Sequence, residues 1–421
     1  MATTYFEQTA QAVAQVDHFT PANVEVSDIF AIRLTNEAGE TFEITYTAAA
    51  ATVQDVVEGL SAAGVAAAAA GQAPWDEVTC TEDNTKLIVT ADTKGVPFWN
   101  ATTATDGGVA DTQTLTRSSG TAVAGPGIYL DEDNWSSQTL PSSGDDVKVK
   151  EGLGGKIYGV NASATTLEDW LMERRHSGNI GGDGHPLYLK GNASANSEFQ
   201  CACTGVARFR IDAFETVEVR AARTPPATGR YGTEIYGVDN NALIVDLDSD
   251  AGSVGFGARY GQTSECDTIV LNRGILVVGP DVTETTNTTP IEAITVNAGE
   301  LRLSSRADAL TINGGTVYVY DGDVNSSDTT TVTTITMNGG RLIYNATGGP
   351  TTITLRKNAT FDLGQDPTAK TIADVSIYSE GVTVIDPYGF VTDWHAYGIN
   401  FGRVNAILPV NQKWTKGTVG A

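Results

Sequence analysis

Positive charge is in short supply in this chain: of 421 residues, 26 are Lys or Arg against 51 Asp or Glu, a formal charge of −25. Such a balance repels a phosphate backbone, so no nucleic-acid partner is expected. Long hydrophobic runs are missing too. The most apolar stretch, Val65–Ala70, is mostly alanine and falls far short of the roughly 20 apolar residues of a membrane helix, so no membrane partner is expected. Cysteine is scarce: Cys80, Cys201, Cys203 and Cys266 are too few for a disulfide framework at this length, and buried thiols made in a reducing compartment are expected. Met1–Gln11 shows no basic segment followed by an apolar one, so secretory export is not expected. His18, His176, His185 and His395 form no H-x-H or H-E-x-x-H pattern, which argues against zinc.

Apolar periodicity divides what remains. Residues 1–28 carry Tyr5, Phe6, Val13, Val16 and Phe19 without a sustained period, which reads as an extended N-terminal arm held by a neighbour. Over 29–117 the pattern is that of a small α+β domain. Phe30, Ile32 and Leu34 alternate, then Phe42, Ile44 and Tyr46, with turn residues Asn36–Gly39 between them. Thr52 with Asp55 opens a helix whose stripe is Val53, Val56, Val57 and Leu60, and two further strands follow at Val78–Thr81 and Leu87–Thr90. Residues 118–141 read as a linker and the opening turn of a new domain.

One phrase then recurs: Ile269-Val-Leu-Asn272-Arg-Gly274, Ile294-Thr-Val-Asn297-Ala-Gly299, Leu310-Thr-Ile-Asn313-Gly-Gly315 and Ile335-Thr-Met-Asn338-Gly-Gly340. Each copy continues into a second alternating run, as in Leu301 and Leu303. The asparagines follow one another after 25, 16 and 25 residues, the length of a solenoid coil. Gly tolerates the positive φ of a sharp corner, and Asn satisfies backbone groups there and stacks on the Asn of the next coil. A sandwich needs hairpin turns about every 8–12 residues and gives no reason for a fixed Asn-x-Gly corner. The fold expected is therefore mainly β: a parallel β-helix over 142–386, with an aromatic cap and basic tail over 387–421. Tyr388, Phe390, Trp394, Tyr397 and Phe401 form the cap or a trimer junction. In the tail, Arg403, Lys413 and Lys416 occur without an acidic residue, a charge suited to docking on an acidic shell or on the solenoid itself.

Candidate chemistry is sparse. Asp246, Asp248 and Asp250 alternate along one segment, and alternating carboxylates can converge on calcium. The spacing fails the EF-hand pattern, with Ala251 where Gly belongs and Gly257 where Glu belongs. Asp131-Glu132-Asp133 is similar, and Asp321 with Asp323 offers another pair for glycan cleavage, which needs an acid and a second carboxylate. Asp393 and His395 lack a nucleophile-elbow motif to complete a triad. Gly178–Gly184 lacks the ending of a phosphate loop and reads as a surface turn. No catalytic residue and no cofactor are expected, calcium at Asp246, Asp248 and Asp250 being the one weak candidate. The corner residues Asn272, Gly274, Asn297, Gly299, Asn313, Gly315, Asn338 and Gly340 are read as structural.

The segment Thr90–Phe98 (TADTKGVPF), behind the helix, resembles small modules in structural proteins of tailed bacteriophages and prophages. Asn134-Trp135 through Val149 is similar to the opening turn of bacterial and phage β-helix surface proteins, a resemblance that implies Trp135 covers the first coil. The resemblance implies a virion structural protein, commonly a homotrimer, with the 29–117 domain as its attachment module: a non-enzymatic capsid decoration protein is the expectation, and a tail fibre or tailspike that binds or cleaves host surface glycan is the alternative. The partners so implied are the major capsid protein or other virion proteins, with host surface glycan for the tailspike version. The location implied is the virion surface, after assembly in the host cytoplasm. Missing export signals suit this better than a bacterial adhesin, and a compact chain without a distal fibre places capsid decoration ahead of a tail role.

Overall fold

The computed structural model describes residues 2–417 apart from 174, 175, 177, 183, 184, 200–206, 223–230, 259–263, 281, 284–289, 322–331, 401, 402, 410, 411 and 413; for 414–417 the backbone alone is described. Cys201, Cys203, Asp323, Phe401 and Lys413 lie outside the described residues.

The repeated phrase folds as a parallel β-solenoid. Each strand before a corner pairs in parallel with its counterpart one coil earlier, so Leu271, Val296, Ile312, Met337, Leu355 and Ile377 align in one inward column. The strands after the corner do the same, aligning Leu276, Leu301, Val317, Leu342, Phe361 and Val384. These side chains are fully buried. Burial of one such aliphatic side chain is worth roughly 1.5–3 kcal/mol, and a lone coil, with both faces in water, gains almost none of it.

The corners show why Asn and Gly recur. Gly274, Gly299, Gly315 and Gly340 have φ of 99°, 82°, 74° and 73°, a region costly for any residue bearing a Cβ. A Cβ on Gly315 would also sit 2.3 Å from the carbonyl oxygen of Gly299 in the coil before. Beside them the asparagine amides form a ladder. Nδ2 of Asn297 donates to Oδ1 of Asn272 at 2.8 Å, Asn313 to Asn297 at 2.8 Å, and Asn338 to Asn313 at 2.9 Å.

The solenoid extends beyond the sequence expectation at both ends. Residues 1–28 are not an arm held by a neighbour, because Thr3–Phe6 forms a parallel strand on Asp146–Val149 of the same chain. Phe6 thereby heads the inward column that continues through Val149, Met172, Phe199, Val219 and Val245. At this end the Trp135 ring packs edge-on to Phe6 and Tyr129, and its Nε1 donates to the Tyr129 carbonyl at 3.0 Å. At the other end, the expected aromatic cap is a further coil. Val391–Tyr397 pairs with Ile372–Ile377, putting Trp394 beside Val375 in the inward column, and Trp414–Gly417 pairs on top of it. Replacement of aliphatic residues by Trp at inward positions hides the phrase in the sequence. The Gly178–Gly184 stretch is likewise not all surface: Ile180 is fully buried and bridges Ile157 and Ala207 in parallel.

The α+β module spans more than 29–117. Val16–Ala22 is an interior strand between Leu87–Ala91 and Thr114–Thr121, with Val78–Glu82 at the far edge. Thr114–Thr121, within which the expected linker begins, is nearly all exposed, so no alternation marks it as a strand. A second antiparallel sheet contains the hairpin Ile29–Thr35 and Thr41–Thr47 with Trp99–Thr105. The helix Val53–Ala69 closes the core with Val56, Val57 and Leu60; Thr52 Oγ1 caps it by accepting from Asp55 N at 3.3 Å. Module and solenoid meet where Lys156 pairs with Glu37 and the Trp99 ring lies flat on His185, centroids 3.8 Å apart.

Two substitutions test the corner account by chemical denaturation. Asn313→Ala removes two ladder hydrogen bonds at a solvent-exposed site and is expected to cost about 1–2 kcal/mol. Gly315→Ala introduces both a disfavoured φ and a backbone overlap, and is expected to cost more than about 2 kcal/mol. Equal, negligible effects would contradict the account.

Candidate functional site

Outward residues of stacked coils also meet at the spacing of adjacent strands, about 4.8 Å, so like charges in one column repel unless a counter-charge intervenes. Glu198 and Glu218 are such a pair in register. Arg220 lies 2.9 Å from both, and the Glu218 hydrogen bond, with Glu198 and Asp246 beside it, holds the guanidinium above its ordinary pKa. Arg208 and Glu234 face each other across register at 3.0 Å. Arg210 stacks 4.2 Å over the Tyr188 ring and pairs with Asp212.

The acidic triplet fits this pattern. Asp246, Asp248 and Asp250 are exposed, whereas Leu247 between them is buried. Asp246 contributes to the field at Arg220, and Asp248 lies 3.9 Å from Nη2 of Arg273. Different arginines thus attend the first two carboxylates. Among the described residues no group of three or more His, Cys, Asp and Glu side chains converges on one point. Asp131 is occupied as a turn residue, accepting from Asp133 N and Gly125 N, and Asp321 accepts from Thr347 N at 2.8 Å. Cys80 is half-buried and Cys266 buried; burial pushes both thiols up to about 12, the opposite of a reactive thiolate.

The last described coils gather a cluster that the sequence does not announce. His395 is not joined to Asp393 but lies, through Nε2, 3.1 Å from Asp374 Oδ1 on the preceding coil. Asp374 and Asp393 occupy the same column on adjacent strands. Tyr378 and Tyr397 stack at 4.8 Å and 10°, and Arg356 lies 5.4 Å over Tyr378. These partners are one coil apart, so the signal for them is register. From the basic tail, Arg403 lies 3.4 Å from Glu380, which docks that part of the tail on the solenoid's own surface.

No protein-family model, curated protein or solved structure matches this chain. The solenoid with its appended module is therefore described on its own geometry.

Acid provides a test of burial in this molecule. His176 is fully buried, neither ring nitrogen is hydrogen-bonded among the described residues, and desolvation lowers its pKa to about 4. The unfolded chain takes up this proton near pH 6.5, so the ring subtracts from stability as pH falls from about 6.5 towards 4, by up to about 3 kcal/mol. Asp55 and Asp366, whose pKa values are lowered by hydrogen bonds, lose their contribution only below the ordinary carboxylate value of 3.8. Glu265, raised by burial, acts in the opposite direction above 4.5. Comparison with His176→Leu isolates the histidine: the variant is expected to hold its stability better than the parent between pH 6.5 and 4, by urea titration. Parallel pH profiles would refute this.

Proposed function

We propose that this chain is a non-enzymatic structural protein of a bacteriophage particle, most consistent with a capsid decoration protein. In this reading the α+β module attaches to the major capsid protein or another virion component, and the solenoid projects as an acidic, solvent-facing body, three copies together, at the virion surface. The observation that carries it is how the outward columns are occupied. Carboxylates at Glu198, Glu218, Glu234 and Asp362 are answered by arginines on the same or an adjacent coil. A glycosidase needs an acid and a second carboxylate free to face substrate across about 5–9.5 Å. A formal charge of −25 favours solubility and mutual repulsion between neighbouring particles.

A second reading, a tailspike that binds or cleaves host surface glycan, draws on the Asp374 and Asp393 column with His395 beside it, next to Tyr378 and Tyr397. The tyrosines favour it weakly, because Arg356 and Tyr397 both lie against the Tyr378 ring.

Image reconstruction of the parent particle tests the first reading, with this chain expected on the head surface as trimers; density at the tail would overturn it. Purified protein is expected to elute at three times the chain mass by light scattering and to leave host polysaccharide chain length unchanged. Shortened polysaccharide, lost in Asp374→Asn or Asp393→Asn, would establish the second reading instead.

A further inference from the structure

A cavity of about 540 Å³ lies where the α+β module meets the first coils of the solenoid. Its walls are largely apolar, with Pro97, Phe98 and Trp99 from the module and Ile128, Tyr158 and Val160 from the chain entering the solenoid. A volume between roughly 300 and 1,000 Å³ at a domain junction is the size and place of a small-molecule site.

The polar groups on the wall are unevenly committed. Gln15 is spent: its Nε2 donates to Asp17 and to the Phe98 carbonyl, and its Oε1 accepts from Phe98 N. Asp17, fully buried, also accepts from Asn100 Nδ2 at 2.7 Å and from Arg117 Nη2 at 2.6 Å. Arg117 is held in place by this one contact. Its remaining N–H groups, like the Ser119 hydroxyl two residues along the same strand, have no protein partner among the described residues. The side chains of Arg117 and Ser119 share a sheet face because residues two apart in a strand point the same way.

We propose that this junction cavity binds a small, neutral, mostly apolar molecule with a flat or elongated body and a hydrogen-bond acceptor, such as a carbonyl, at one end. The body lies against Phe98, Trp99 and Tyr158, and the acceptor takes donors from Arg117 and Ser119. Neutrality follows from charge: Asp17 already balances Arg117, and a chain of formal charge −25 offers no long-range attraction to an anion. Trp99 is positioned for this role by its flat contact with His185.

Nile red, a neutral planar dye bearing a carbonyl, is a direct probe. The full chain is expected to bind one equivalent saturably, with micromolar affinity and blue-shifted emission. Ser119→Trp, on an exposed strand position, fills the cavity and is expected to abolish the saturable phase. Arg117→Lys keeps the pairing with Asp17 but loses the spare guanidinium donors, and is expected to weaken binding at least fivefold. Thermal melts show whether each variant is folded, and Arg117→Lys decides the matter if Ser119→Trp is not. Absence of saturable binding to the parent, or binding unchanged in a folded variant, overturns the proposal. Neither result bears on location in a particle, so this inference stands or falls separately from the proposed function.

Discussion

Parallel pairing in register is the constraint on which this molecule depends. A strand laid on its predecessor with no offset puts each side chain on its counterpart, at a spacing that neither side chain can escape. Inside, this rewards repetition of aliphatic residues, as in Leu271, Val296 and Ile312. At the corner it rewards repetition of a group that is both donor and acceptor, which the Asn272 to Asn338 amides provide. Outside, it penalises repetition of charge, and the chain answers with Arg220 between Glu198 and Glu218. One geometric rule thus sets three different sequence preferences on the same strand.

That rule also decides how much can be read without a structure. Four coils are legible because the corner demands Gly at positive φ and the ladder demands Asn, so the phrase is conserved within the chain itself. Where a coil turns by other means, the phrase is lost although the fold continues. Trp170 and Trp394 occupy inward positions that aliphatic residues hold elsewhere, and the coils around them read as irregular. The partner of Thr3–Phe6 is more than a hundred residues away at Asp146–Val149, and no local pattern encodes such a pairing. The same holds for Asp374 with His395. Each residue is unremarkable alone, and their 3.1 Å approach depends on aligning two strands whose intervening loop has no repeat. Among the small sheets the difficulty is different. Thr114–Thr121 pairs through its backbone while most of its side chains face water, so hydropathy carries no trace of it.

The charge pattern connects architecture to the proposed role. Salt bridges at exposed positions are individually worth little, about 0–1 kcal/mol. Their value in a solenoid is that they remove a penalty otherwise repeated at every coil. A surface built this way leaves a net negative exterior with its repulsions locally relieved, which suits a body crowded beside copies of itself.

The junction is different in kind from either part it joins. Within the solenoid each coil is the template of the next, and the inward side chains of successive coils are buried against one another. The antiparallel module has its own core, centred on Phe19, Phe30, Leu60 and Trp75. Where the two meet there is no shared repeat to enforce complementarity, and contact is made by individual residues, Glu37 with Lys156 and Trp99 with His185. A mismatch between a twisted sheet and a stack of parallel coils leaves volume, and this volume is walled by aromatic rings with an anchored arginine at one side. The junction cavity thus lies at the seam between architectures, where packing is not dictated by repetition.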